Sequence, residues 1–186
     1  MTENAIIKPP KIHLYYTTYL QGNVLNFQGT CSIHLSGNSC HYKKDKGVST
    51  MNILVIDAQG GGIGRQLVTA IREKMPEADI TAVGTNTVAT AAMLKAGADN
   101  AATGENAVVV NTRRADVIVG PIGIVIADAM FGEITPRMAN AVAQSSAKRI
   151  LIPINHCDNI VVGVADLNIG RLIQCVIEEL CRLCDR

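Results

Sequence analysis

Four glycines, Gly60, Gly61, Gly62 and Gly64, stand within five positions of one another, just after an apolar run that ends at Asp57. A glycine has no Cβ to hold the backbone away from a ligand, and a helix starting there would present free N–H groups and the positive end of its dipole. The chemistry this suits is the binding of an anion, above all a phosphate. Ile63 and Arg65 fall inside the same turn and join the four glycines as candidate contacts. The plainer explanation is a tight strand-to-helix connection that binds nothing. Each glycine fixed in regular structure costs roughly 0.5–1 kcal/mol, and one would serve a turn, so the surplus favours a ligand.

Three phosphate-binding designs can be laid over "AQGGGIGRQL". The dinucleotide fingerprint G-x-G-x-x-G places Gln59 at its first glycine, with Gly61 and Gly64 at the other two; begun at Gly60, it meets Arg65 at the third. That design also wants an acid at the end of the second strand for the ribose hydroxyl, and the strand ends "AVGTNT". Thr85 and Asn86 stand there instead, which weakens NAD and leaves NADP the better fit of the two dinucleotides. A P-loop needs lysine and a magnesium-binding hydroxyl, where this chain has Gly60, Arg65 and Gln66. ATP hydrolysis is not expected. The looser turn of short-chain reductases matches at Gly62–Arg65, but its Tyr-x-x-x-Lys pair has no counterpart, because all four tyrosines precede residue 50.

Other groups are weaker candidates. Glu105, Asp128 and His156 could act as acid or base in an NADP-linked oxidoreductase or small transferase. Glu105 and Glu133 each lie near a helix start, which favours a carboxylate without any catalytic role. His156 and Cys157 are neighbours in the chain, an arrangement that rarely points both side chains at one another. Cys31, His34, Cys40 and His41 fit no common zinc spacing, and no metal site is assigned.

Apolar residues make up 48% of the 186 and charged residues 18%, an ordinary globular balance without a bilayer-spanning run. Residues 1–50 hold five lysines against two acids (+3), and 51–186 hold twelve basic against fourteen acidic residues (−2). The body thus carries no basic footprint for nucleic acid. With no signal-like start and six cysteines in no paired spacing, the expected setting is cytoplasmic with free thiols. Residues 1–50 read as an extension, disordered or upstream of a natural start at Met51.

The elements that position the glycines come next. "NILVID" and "DITAVG" read as buried strands, "ADNAA", "DVIVG", "RILIPI" and "NIVVGV" (159–164) as four more. Helices are expected over 62–75, over 88–96 with Thr87 as cap, after Thr103 as cap, after Thr135–Pro136, and from Asp166 to about Cys184. Strands alternating with helices predict an α/β fold, a three-layer, Rossmann-like, doubly wound parallel sheet of five to six strands over 51–186. Ligands of such sheets bind beyond the carboxyl ends of the strands. That adds Gly120, Pro121, Gly123 and Asn155 to Thr85, Asn86 and the first glycine turn. Along 167–184, one apolar row (Ile169, Ile173, Ile177, Cys181) adjoins a second (Leu172, Val176, Leu180, Cys184); it serves either the core or a homo-oligomer face.

"MNILVIDAQGGGIGRQL", "AVGTN", "MLKAGAD", "ATGEN", "GPIGIVIAD", "GEITP" and "NIVVGV", in this order, resemble a group of small bacterial proteins defined as a domain of unknown function. The resemblance covers 51 to about 170. It implies the Rossmann-like fold and carries no catalytic residue across. The residues and the resemblance together lead to one expectation, a binding protein for a nucleotide or phosphorylated metabolite, ahead of an enzyme or an oligomeric scaffold.

Overall fold

The structure, a computed structural model, describes residues 13–20, 23–30, 50–154, 161–162, 164 and 168–184. The chain divides into two compact units, Met1–Asn38 and Ser39–Arg186. In the first, His13–Leu20 (β1) and Asn23–Thr30 (β2) pair antiparallel, His13 opposite Thr30 and Leu20 opposite Asn23. Neither strand is expected from the sequence.

In the second unit, Asn52–Asp57 (β3) alternates its apolar side chains between two cores, as a strand buried on both faces must. Ile53 and Val55 pack with Leu67, Val68 and Ile71 of Gly62–Lys74 (α1). Leu54 and Ile56 enter a second cluster on the opposite face. Around β3 lie Asp79–Gly84 (β4), Asn100–Thr103 (β5), Val117–Pro121 (β6) and Lys148–Ile152 (β7). All neighbours are parallel and the order is β5-β4-β3-β6-β7. The strand sequence therefore reverses direction between β3 and β6, which places the crevice beyond their carboxyl ends. Helices Thr87–Lys95 (α2) and Ile169–Cys184 (α5) contribute Met93 and Leu180 to the α1 side; Glu105–Asn111 (α3) and Pro136–Gln144 (α4) contribute Val108 and Met138 to the other. This is the three-layer, doubly wound, Rossmann-like architecture expected.

Several local expectations change. Of the strand expected over 159–164, residues 161, 162 and 164 are not in strand conformation, and Val162 is 92% exposed rather than packed; the remainder lies outside the described residues. The described sheet has five strands. The cap of α2 is Asn86, one residue before the expected Thr87: its backbone is extended and its Oδ1 accepts the Ala89 N–H at 2.9 Å. Its Nδ2 also donates to the Gln59 carbonyl at 2.9 Å, so Asn86 ties the cap to the glycine turn. Asn86→Ala is expected to cost about 1–2 kcal/mol, checked by urea unfolding. Thr103 does not cap α3; it ends β5, its hydroxyl lies 2.7 Å from that of Thr90, and Gly104 (φ +92°) starts the helix. Thr135 does cap α4, its hydroxyl accepting the Met138 N–H with Pro136 in the first turn. Asp166 lies outside the described residues.

All but Ile169 of the two apolar rows of α5 serve the chain's own core. Ile173, Val176, Ile177, Leu180 and Cys184 are buried, with Leu172 and Cys181 packed beside them. Seven of the eight residues thus have an intramolecular use, while Ile169 is 37% exposed. Cys175 is a free thiol, but Cys181 is disulfide-bonded, which corrects the expectation of free thiols throughout. Pairing is set by spatial approach, and chain spacing does not reveal it. No described helix is long and apolar enough to cross a membrane.

Candidate functional site

The turn after β3 is built from inside outward. Asp57, 3% exposed, closes the strand and accepts the Ala58 N–H at 2.9 Å and the Gly64 N–H at 2.6 Å. Its carboxylate therefore occupies part of the seat that the first turn of α1 would offer an external anion. Burial pushes Asp57 up from the ordinary 3.8; the N–H groups of Gly64, Ala58 and Ile63 pull it back, and the charge of Glu133 adds to the rise. A folded value above the unfolded one means the folded state holds the proton more tightly. Its contribution to stability is full below 3.8 and is lost as pH rises through the folded pKa. Asp57→Asn is therefore expected to remove a downward slope of stability with pH starting near 3.8. Parallel urea-unfolding curves for variant and wild type across that range would contradict it.

The four glycines separate into two kinds. Gly61 has φ +67°, and a Cβ there would lie 2.6 Å from the Ala89 Cα of α2. At Gly64 a Cβ would lie 2.5 Å from the Met93 sulfur and 2.8 Å from the Asp57 Cβ. These two are required by packing. Gly60 and Gly62 are exposed, lie outside the left-handed region, and would place a Cβ within 4 Å of nothing. Among the described residues their N–H groups have no partner. Nothing in the fold demands glycine at either position.

Both open onto a cleft of about 250 Å³ at the β3–β6 crevice. One wall is the glycine turn with Gln59, Ile63 and Gln66; the other is the turn after β6, where Pro121, Ile122 and Gly123 begin a 3-10 turn, Ile122–Val125. Ile126, Met130, Ile154 and Ile169 form an apolar side, and Asp57 is the lone ionisable lining residue among the described residues. Gly120 is a sheet residue: a Cβ there would lie 2.4 Å from the Ile56 carbonyl oxygen of the adjoining strand.

Glu133, from the loop between β6 and α4, braces the cleft from the side of β4. Its Oε2 accepts the Gln59 N–H at 3.0 Å, the Asn86 amide at 2.9 Å and the Thr85 hydroxyl. Burial pushes its carboxyl up, but the hydrogen bonds from Thr85, Gln59 and Asn86 outweigh this and leave it below the usual carboxylate range. The loop is bent to reach: Asp128, Met130 and Phe131 all have left-handed backbone, with φ of 62°, 57° and 58°.

Of the expected contacts, Gly60, Gly62, Ile63, Pro121 and Gly123 line one cleft, and Gly61, Gly64 and Gly120 shape its walls from behind. Thr85 and Asn86 turn to Glu133. Arg65 lies in the separate groove between α1 and α2, with Lys95. Asn155, like His156 and Cys157, lies outside the described residues. Glu105 accepts from Thr135 at 2.7 Å and pairs with Arg137 at 3.1 Å, and neither it nor Asp128 lines the cleft. Asp57, Glu133 as a brace and the isoleucine wall are not expected from the sequence. A polar residue closing an apolar strand seven positions before a helical N–H is a legible sign for Asp57. The Glu133 contact joins residues 74 apart and has no such sign. Among the described residues, no three His, Cys, Asp or Glu side chains gather to hold a metal ion.

Fold and cleft together define a Rossmann-like α/β domain with a cleft at the topological switch point. The chain belongs to the family described as domain of unknown function (DUF3842), whose sequence profile matches residues 52–185. No curated protein matches it in sequence. Among solved structures, one described as a dodecameric FMN-dependent UbiX-like decarboxylase from Escherichia coli O157:H7 is similar at a TM-score of 0.36 and 19% identity. That match covers 72% of this chain and 77% of the other. A likeness so slight bears on neither activity nor assembly.

Proposed function

We propose that the protein binds a nucleotide or related phosphorylated metabolite in the cleft between the glycine turn and the Pro121–Gly123 turn, as a sensor or accessory subunit. The observation that carries this is the pair Gly60 and Gly62. Their missing Cβ atoms serve no contact inside the protein, and their N–H groups face no partner among the described residues. In this reading the two N–H groups hold a phosphate oxygen and the isoleucine side takes a flat, apolar ring. Among the described residues Asp57 is the lone ionisable group lining the cleft, and its commitment to backbone N–H groups favours binding over acid–base catalysis.

Thermal unfolding of the full chain with NAD, NADP, ATP, GTP, FMN, coenzyme A and inorganic phosphate tests the reading. A ligand at about 100 times its Kd adds about 2.7 kcal/mol, a rise in Tm of roughly 5–10 °C for a domain of this size. A nucleotide is expected to give that rise and inorganic phosphate alone is not, since the apolar side contributes. No rise with any of the panel would remove the reading, and turnover of a cofactor would replace it with an enzyme.

A further inference from the structure

From sequence, NAD ranks below NADP because β4 ends without an acid. In the folded chain an acid stands there all the same. Glu133 comes from a loop 48 residues beyond Thr85, yet its Oε2 takes the Thr85 hydroxyl and the Asn86 amide at the carboxyl end of β4. That is where a Rossmann-like sheet keeps the carboxylate that reads a ribose. The same oxygen takes the N–H of Gln59, which lines the cleft, so the carboxylate stands one hydrogen bond from the lining, although Glu133 itself does not line it. Its other oxygen, Oε1, accepts no hydrogen bond among the described residues, and the residue is part-exposed. The three donors also hold the group ionised, since they pull its carboxyl below the usual range against the effect of burial.

We propose that Glu133 is the ribose-reading carboxylate of this site: its free Oε1 accepts the hydroxyls of an adenosine-type ribose, and its charge excludes a ribose carrying a 2′-phosphate. This rests on the nucleotide-binding reading of the cleft and sharpens it to ligands with an unmodified ribose diol, reversing the preference for NADP over NAD. The left-handed backbone at Met130 and Phe131, just before Glu133, fits a loop bent to deliver that carboxylate.

Calorimetric titration of the full chain with two pairs, NAD against NADP and 5′-AMP against adenosine 2′,5′-bisphosphate, decides it. In each pair the members differ by the 2′-phosphate. The unphosphorylated member is expected to bind at least about tenfold tighter, as like charges brought together cost affinity. Glu133→Gln keeps a carbonyl for the three donors and loses the charge; it is expected to narrow the gap to about threefold or less while the unliganded Tm stays close to wild type. Equal or tighter binding of the 2′-phosphates, or a gap unchanged in Glu133→Gln, overturns the proposal and leaves the nucleotide-binding reading standing. Failure of both pairs to bind, with a rise in Tm from another nucleotide of the panel, overturns the ribose assignment alone. Failure of every nucleotide overturns both.

Discussion

Gly61→Ala is expected to lower the unfolding free energy by about 3 kcal/mol, read as a fall in urea midpoint at unchanged slope. Two costs combine. An alanine held at φ +67° pays on the order of 1–2 kcal/mol for the left-handed conformation. Its methyl would also stand 2.6 Å from the Ala89 Cα and 2.9 Å from the Ala89 carbonyl oxygen, backbone atoms of α2 that cannot rotate away. Overpacking of that kind costs about 1–3 kcal/mol. Gly61 is also the N-terminal cap residue of α1, donating to the Ala58 carbonyl and accepting from the Arg65 N–H, so relief by backbone movement would disturb the turn itself. A loss under about 1 kcal/mol would mean that α1 and α2 are not packed as described.

Gly62→Val, one residue on, is expected to leave the fold intact and remove the ligand. A Cβ at Gly62 meets nothing within 4 Å, and the residue already has ordinary backbone as the first of α1. The unliganded Tm should therefore stay near wild type; the added side chain fills the space that a phosphate would approach. If the excluded contact costs about 1–3 kcal/mol, affinity falls on the order of 5- to 150-fold. Two neighbouring glycines thus give opposite results, one a loss of stability and the other a loss of binding. Retained affinity in a stable Gly62→Val protein would mean that the surplus glycines admit nothing.

What could be read in the sequence follows from how local each cause is. The strands of the sheet, α1 and the Thr135–Pro136 start are dictated by runs of neighbouring residues, and they fold where periodicity and capping place them. At "TNT", three side chains compete for one cap, and the structure chooses Asn86 because its amide serves Ala89 and Gln59 together. That choice depends on the glycine turn across the sheet. The isoleucine wall and the Glu133 brace are more distant still, since they join residues brought together only by the order of β4, β3 and β6. A surplus of glycines at the first turn was legible, but not which of them open onto the cleft. Gly61 and Gly64 differ from Gly60 and Gly62 in what α2 and Asp57 place behind them, and Gly61 also in its left-handed backbone.

The central claim is that Gly60 and Gly62 face a ligand. Amide chemical shifts of the isotopically labelled full chain, followed during titration with ADP and NAD, test it most directly. The account predicts saturable shifts largest at the Gly60 and Gly62 N–H groups, extending to Ile63 and Gly123 across the cleft. Shifts confined to the α1–α2 groove around Arg65 and Lys95, or no saturable shift, would contradict it.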